Sequence, residues 1–173
     1  MEITRFRREA APVAVHSVRT AVAAVASLLA ARMFRLPEAY WAPITTLVIT
    51  QSSLGAALAV SWQRFVGTLL GAIVGAIVAG YFAPSTFVFG ACVFLLGLLC
   101  AAVRSDRSAY RFAGVTLAIV LLAPHTDPGW HVAFHRFAEV SIGICVALIF
   151  ATIWPEMGEQ APKETTNPVS AQH

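Results

Sequence analysis

WQRFVGTLLGAIVGAIVAGYFA, residues 62–83, decides the fold. Beyond Gln63 and Arg64 the stretch carries no charge up to Ala83, and it has about the twenty apolar residues a helix needs to cross a hydrocarbon layer about 30 Å thick. Gly67, Gly71 and Gly75 recur every four residues and so fall on one helical face. Lacking side chains, they let a second backbone approach, and in lipid such packing replaces the hydrophobic drive between helices. The segment is expected to span a membrane as a central helix of a bundle or as a dimer interface, with Gly80 near its end and Pro84 closing it.

The rest of the chain repeats the pattern. Over 173 residues it is 58% hydrophobic and 12% charged, with a mean hydropathy of +0.72. That is too little polar surface to enclose a water-soluble core. Working outward from the glycine helix, apolar runs predict a first helix over 16–34, a second over 37–53, the third over 62–83, a fourth over 86–103, a fifth over 109–123 and a sixth over 130–154. The fold class is therefore all-α, a polytopic membrane bundle of about six transmembrane helices. The sequence divides into an N-terminal cytoplasmic segment (1–13), a membrane domain (14–155) and a disordered polar tail (156–173). The second helix is short and contains Pro43, which predicts an interrupted span of the kind that lines binding sites. A plain kink is the alternative.

Charge sets topology. Arg5, Arg7, Arg8, Arg19, Arg64, Arg104, Arg107, Arg111 and Lys163 fall on one side of this layout, and Arg32, Arg35 and Arg136 on the other. The imbalance places both termini in the cytoplasm of an inner-membrane protein. The same basic residues account for the net charge of +3 without a nucleic-acid surface, since no basic patch with interleaved aromatics stands apart from the apolar runs. Cys92, Cys100 and Cys145 lie within apolar runs and in odd number, so they form no disulfide framework. No nucleophile triad, phosphate loop or cofactor motif is found, and an enzyme is not expected.

Sliding the chain along itself by about 70 residues matches Ala39-Tyr40 with Ala109-Tyr110 and Thr46-Leu47 with Thr116-Leu117. Two residues further on, Gln63-Arg64-Phe65 meets His135-Arg136-Phe137 and Gly71 meets Gly143. Helices 1 to 3 thus pair with helices 4 to 6. Three spans per half give the halves opposite orientations, a recurrent transporter plan with the substrate near the midplane. On this layout Arg64 and Arg136 open helices 3 and 6 and each guards one mouth of an anion path.

Ionisable side chains in a span cost about 2.5 kcal/mol or more at its centre and are functional candidates. Arg19, Arg64 and Arg136 present guanidinium forks that match a carboxylate in two hydrogen bonds, and Glu139 can pair with Arg136 one turn away. Tyr40 and Trp41 are candidates to stack on an organic ring, and Gln51 and Thr68 to add neutral hydrogen bonds. Each arginine has an alternative reading as a snorkelling anchor, and the two aromatics as interface residues. Protonation of Glu139 or a histidine is a candidate coupling step. A rival reading takes His131, His135 and Glu139, four residues apart on one face with His125 and Asp127 just before, as ligands of zinc or a similar ion, which would make the chain a metal carrier or a membrane enzyme.

With these residues in place, the chain resembles the fusaric acid resistance and aromatic acid exporter family. The likeness rests on His16-Ser17-Val18-Arg19-Thr20, Pro37-Glu38-Ala39-Tyr40-Trp41-Ala42, Gln51-Ser52-Ser53-Leu54-Gly55-Ala56, Arg64-Phe65-Val66-Gly67-Thr68-Leu69-Leu70-Gly71, and His135-Arg136-Phe137 before Gly143. The resemblance implies a membrane transporter domain for small organic, often aromatic, carboxylates, working by efflux. It carries over Arg19, Tyr40, Trp41, Arg64, Gly67, Thr68, Gly71 and Arg136. Many members have two membrane halves and a large soluble region, so a homodimer or a partner membrane subunit is expected. A non-transporting subunit or scaffold is the alternative function.

Overall fold

The computed structural model describes residues 2–50, 53–83, 85–102, 107–123 and 127–154, with side chains from Val13 onward. These residues form six helices: α1 (Glu2–Met33), α2 (Trp41–Ile49), α3 (Leu54–Tyr81), α4 (Thr86–Ala102), α5 (Arg107–Leu122) and α6 (Gly129–Ile153). Among the described residues there is no strand. Val13–Met33, Leu54–Tyr81 and Gly129–Ile153 are each long and apolar enough to cross a bilayer, and Thr86–Ala102 is a shorter apolar helix. The fold is a polytopic helical membrane bundle. The sides of α1 and α4 that face away from the bundle carry exposed Val18, Val22, Val25, Phe94 and Leu98, as a lipid-facing surface requires.

Helix ends follow local chemistry. The first span ends where Arg35 takes a left-handed φ of 53°. Its N–H donates to Arg32 O, and Leu36 N–H donates back to Ala31 O, the paired bonds of a Schellman stop. Pro37 then prevents the helix from resuming. Ser53 caps α3, its hydroxyl accepting from Ala56 N–H at 3.3 Å, and Ser85 caps α4 through Val88 N–H in the same way.

Helix 2 differs most from expectation. It runs over nine residues rather than seventeen, about 14 Å at 1.5 Å per residue, so it reaches only about halfway through the hydrocarbon layer. Pro43 is its third residue, in the first turn, where a helix tolerates a missing N–H; the proline does not interrupt the helix. Its short length comes instead from the polar run after Ile49. Thr50 is extended, with its hydroxyl donating to Thr46 O at 2.7 Å, and Ser53 starts α3 about eight residues earlier than the sequence suggested. The N-terminal segment likewise belongs to α1, which begins at Glu2. The tail, 156–173, lies outside the described residues.

Packing shows the repeat. Helix α2 packs on α6 as α5 packs on α3, and α1 packs on α2 and α6 as α4 packs on α5 and α3, while α3 and α6 pack on each other at the centre. Every one of these pairings maps onto another, or onto itself, when the halves are exchanged. Residue contacts obey the same exchange. Gly71 of α3 lies against Ala113 O and Thr116 Cβ of α5, and Gly143 of α6 against Ala42 O and Thr45 Cβ of α2, positions related by 71 or 72 residues, so in the packing Thr45, rather than the Thr46 of the sequence match, corresponds to Thr116. The glycine face of α3 is thus used within the chain, with Gly67 against Ala109 O and Gly75 against the Val120 side chain, which a Cβ on Gly75 would approach to 3.0 Å.

Candidate functional site

Because α3 starts at Leu54, Arg64 lies ten residues inside its helix, and Arg136 lies seven inside α6. Neither opens its helix, as the sequence layout had it. Helices α3 and α6 pack on each other, and the two guanidinium groups lie within electrostatic range of each other. Both are buried, with 7% and 2% of their surface exposed.

Each guanidinium lies over an aromatic ring of the facing short helix. Arg136 stacks on Trp41 at 3.8 Å from the ring centroid, and Arg64 on Phe112 at 4.8 Å. Trp41 and Phe112 are themselves repeat equivalents. A cation over a desolvated ring gains about 2 kcal/mol, which offsets part of the cost of burying charge. Arg64 Nε–H also donates to Thr45 Oγ1 at 3.2 Å, and the Thr46 hydroxyl ties α2 to α6 through Gly143 O at 3.1 Å.

Around Arg136 the halves diverge. Glu139, fully buried, places Oε2 3.6 Å from Arg136 Nη1. Its Oε1 accepts from the Glu38 N–H at 3.1 Å, and Glu38 Oε2 accepts from the Trp41 indole N–H at 3.0 Å. Tyr40, tilted against Trp41 at 5.5 Å, lies within electrostatic reach of Arg136. Among the described residues, Arg136 Nε and Nη1 and Glu139 Oε2 have no hydrogen-bond partner. Buried donors of a charged fork without acceptors are costly, and their natural complement is a carboxylate.

The other sequence candidates fall around this centre or outside it. Thr68 is buried one turn beyond Arg64 on α3. Arg19 is buried on α1, the helix packed beside α2 and α6. Gln51 and His125 lie outside the described residues. His131 and His135 meet edge to face at 4.6 Å, but Glu139 is engaged with Arg136 and Glu38. Among the described residues no three His, Cys, Asp or Glu side chains are placed to hold a metal ion. The three-ligand arrangement thereby loses its carboxylate. Glu38, Thr45 and Phe112 were missed. Glu38 sits in a stretch read as a helix break, and Phe112 and Thr45 were missed because the sequence match by 70 residues set Arg111 opposite Trp41 and Thr46 opposite Thr116.

The fusaric acid resistance protein-like family matches residues 22–150. The chain belongs to that family. Its relatives include the inner membrane protein YeeA of Escherichia coli (strain K12), 32% identical over 149 residues that cover 82% of this chain and 41% of that protein. The uncharacterized transporter YdhK of Escherichia coli (strain K12) is 26% identical over 157 residues, covering 83% and 23%. The inner membrane protein YccS of the same strain is 26% identical over 142 residues, covering 82% and 20%. The chain therefore spans less than half the length of these relatives. No solved structure matches it.

Proposed function

We propose that this chain is the membrane unit of an inner-membrane transporter that moves small organic carboxylates, aromatic ones among them, out of the cell. One observation carries the reading: a fully buried arginine in a repeat-built bundle, with donor atoms that have no hydrogen-bond partner among the described residues and an aromatic ring fixing its plane. A snorkelling anchor would reach the headgroups, whereas Arg136 is held inside. A planar fork selects carboxylate over halide because two parallel hydrogen bonds can form at once. Arg64, the repeat counterpart, adds a second positive charge beside the first. Support also comes from membership of a family named for resistance to fusaric acid, an aromatic carboxylic acid, and from relatives named as transporters and inner membrane proteins.

In this reading three helices per half give the halves opposite orientations, both termini face the cytoplasm, and access alternates about the central arginines. We propose further that the chain works as a homo-oligomer or with a partner membrane subunit. The test is flux of labelled benzoate in liposomes holding the purified protein, compared with an Arg64→Ala, Arg136→Ala double variant. Flux that collapses in the folded double variant supports transport. No flux in either protein moves the assignment to a membrane scaffold.

A further inference from the structure

The two halves of the site share an arginine, a ring, a threonine and a glycine but not the acids. Arg64 and Arg136 correspond, as do Phe112 and Trp41, Thr116 and Thr45, and Gly71 and Gly143. The counterpart of Glu139 is Gly67, and the counterpart of Glu38 is Ala109. At that place in the α3–α5 seam, Gly67 lies directly against the Ala109 carbonyl. The α3–α5 seam closes there by backbone contact, without carboxylates.

We infer that Glu139, positioned by Glu38, is a built-in counter-anion that occupies Arg136 until the carboxylate of the transported anion displaces it. This deepens the proposed function and rests on it. Three features carry the inference. Glu139 Oε2 stands 3.6 Å from Arg136 Nη1, an ion-pair contact longer than a hydrogen bond, and Arg136 Nε and Nη1 have no hydrogen-bond partner among the described residues. The carboxylate is anchored from the other side, through Glu38 N–H to Oε1, so it stands beside the fork without closing on it. Glu38 is in turn fixed by the Trp41 indole, the ring on which Arg136 rests. An entering carboxylate that forms both hydrogen bonds to the guanidinium replaces a weaker internal contact. Glu139 is then a positioning and selectivity residue: it keeps the buried cation neutralised between turnovers and sets a threshold that only a bidentate anion passes.

The experiment is equilibrium binding of labelled benzoate to the purified protein in lipid nanodiscs, with benzamide as the neutral control. A fixed anion beside the guanidinium that makes the site about tenfold less competent for an entering carboxylate weakens apparent affinity by the same factor, so Glu139→Gln is expected to bind benzoate about tenfold tighter and benzamide unchanged. Glu139→Asp keeps the charge but shortens its reach, and is expected to fall between wild type and Glu139→Gln; it carries the test if Glu139→Gln does not fold. Infrared difference spectra with carboxyl-labelled benzoate are expected to show a protein carboxylate band that moves on binding in wild type and is missing from Glu139→Gln. Unchanged or weaker benzoate binding in a folded variant overturns the inference, as does a wild-type spectrum without that band. Loss of binding in Arg136→Ala upholds the underlying site whichever way Glu139 behaves, whereas a wild type that binds no benzoate overturns both.

Discussion

Gly71 and Gly114 show how much of the fold hangs on single residues. A Cβ on Gly71 would run into the Ala113 carbonyl, which as backbone cannot step aside, while a Cβ on Gly114 meets nothing within 4 Å among the described residues. Overpacking of this kind costs about 1–3 kcal/mol, and alanine regains up to about 1 kcal/mol of helix propensity. Gly71→Ala is therefore expected to lower the melting temperature of the detergent-solubilised protein, and Gly114→Ala to leave it level or raise it. Gly143→Ala, the repeat counterpart, should behave like Gly71→Ala, because it meets the Ala42 carbonyl and Thr45 in the same geometry. Thermal unfolding of the three variants checks this, and equal melting for all would contradict the packing described. The sequence showed the four-residue glycine spacing because that pattern is local. It did not show that α5 would fill the face, since α5 carries its small residues, Ala109 and Ala113, without a glycine signature.

At the scale of elements, the first span stops on a residue ill suited to its conformation. Arg35 holds the left-handed position of the Schellman turn, which costs a non-glycine residue about 1 kcal/mol. Arg35→Gly is expected to stabilise the protein by about that amount, read as a rise in thermal midpoint; a fall would mean that the arginine side chain contributes more than its backbone costs. Pro43 makes the complementary case. In the first turn of α2 it displaces no intrahelical bond, so Pro43→Ala is expected to shift stability by less than about 1 kcal/mol. A proline breaking a longer span would give a much larger gain on replacement. The prolines and polar runs marked element boundaries well where they ended helices. They misled at helix 2, because a proline near a helix start and one inside a helix look alike until the start is known. Ser53, which sets that start for α3, was legible only as part of a polar cluster.

Across the whole molecule, the repeat was legible as matched arginines and glycines, and packing extends it to the rings and threonines around them. Its geometry was not legible. Placing Arg64 at the opening of helix 3 assumed that this helix starts near Trp62, and a start at Leu54 sets it ten residues inside. Glu38 escaped notice for a related reason: a residue in a connecting turn joins a buried site only once the turn is seen to fold against α6. Lipid exposure is also a whole-molecule property. Cys145 is exposed on α6 while Cys92 and Cys100 are buried, so a lipid-soluble maleimide is expected to label Cys145 well ahead of the other two, a ranking that mass spectrometry reads directly. The central claim is that anions pass the buried arginine pair. Its most direct test is an Arg136→Cys variant in a background without other cysteines, exposed in liposomes to a small, charged, membrane-impermeant thiol reagent with and without benzoate. The account predicts that the new thiol is modified from the aqueous phase and that benzoate slows the reaction. A folded protein in which the thiol stays unmodified from both sides would show that the arginines are sealed in the bundle and that no anion path runs past them.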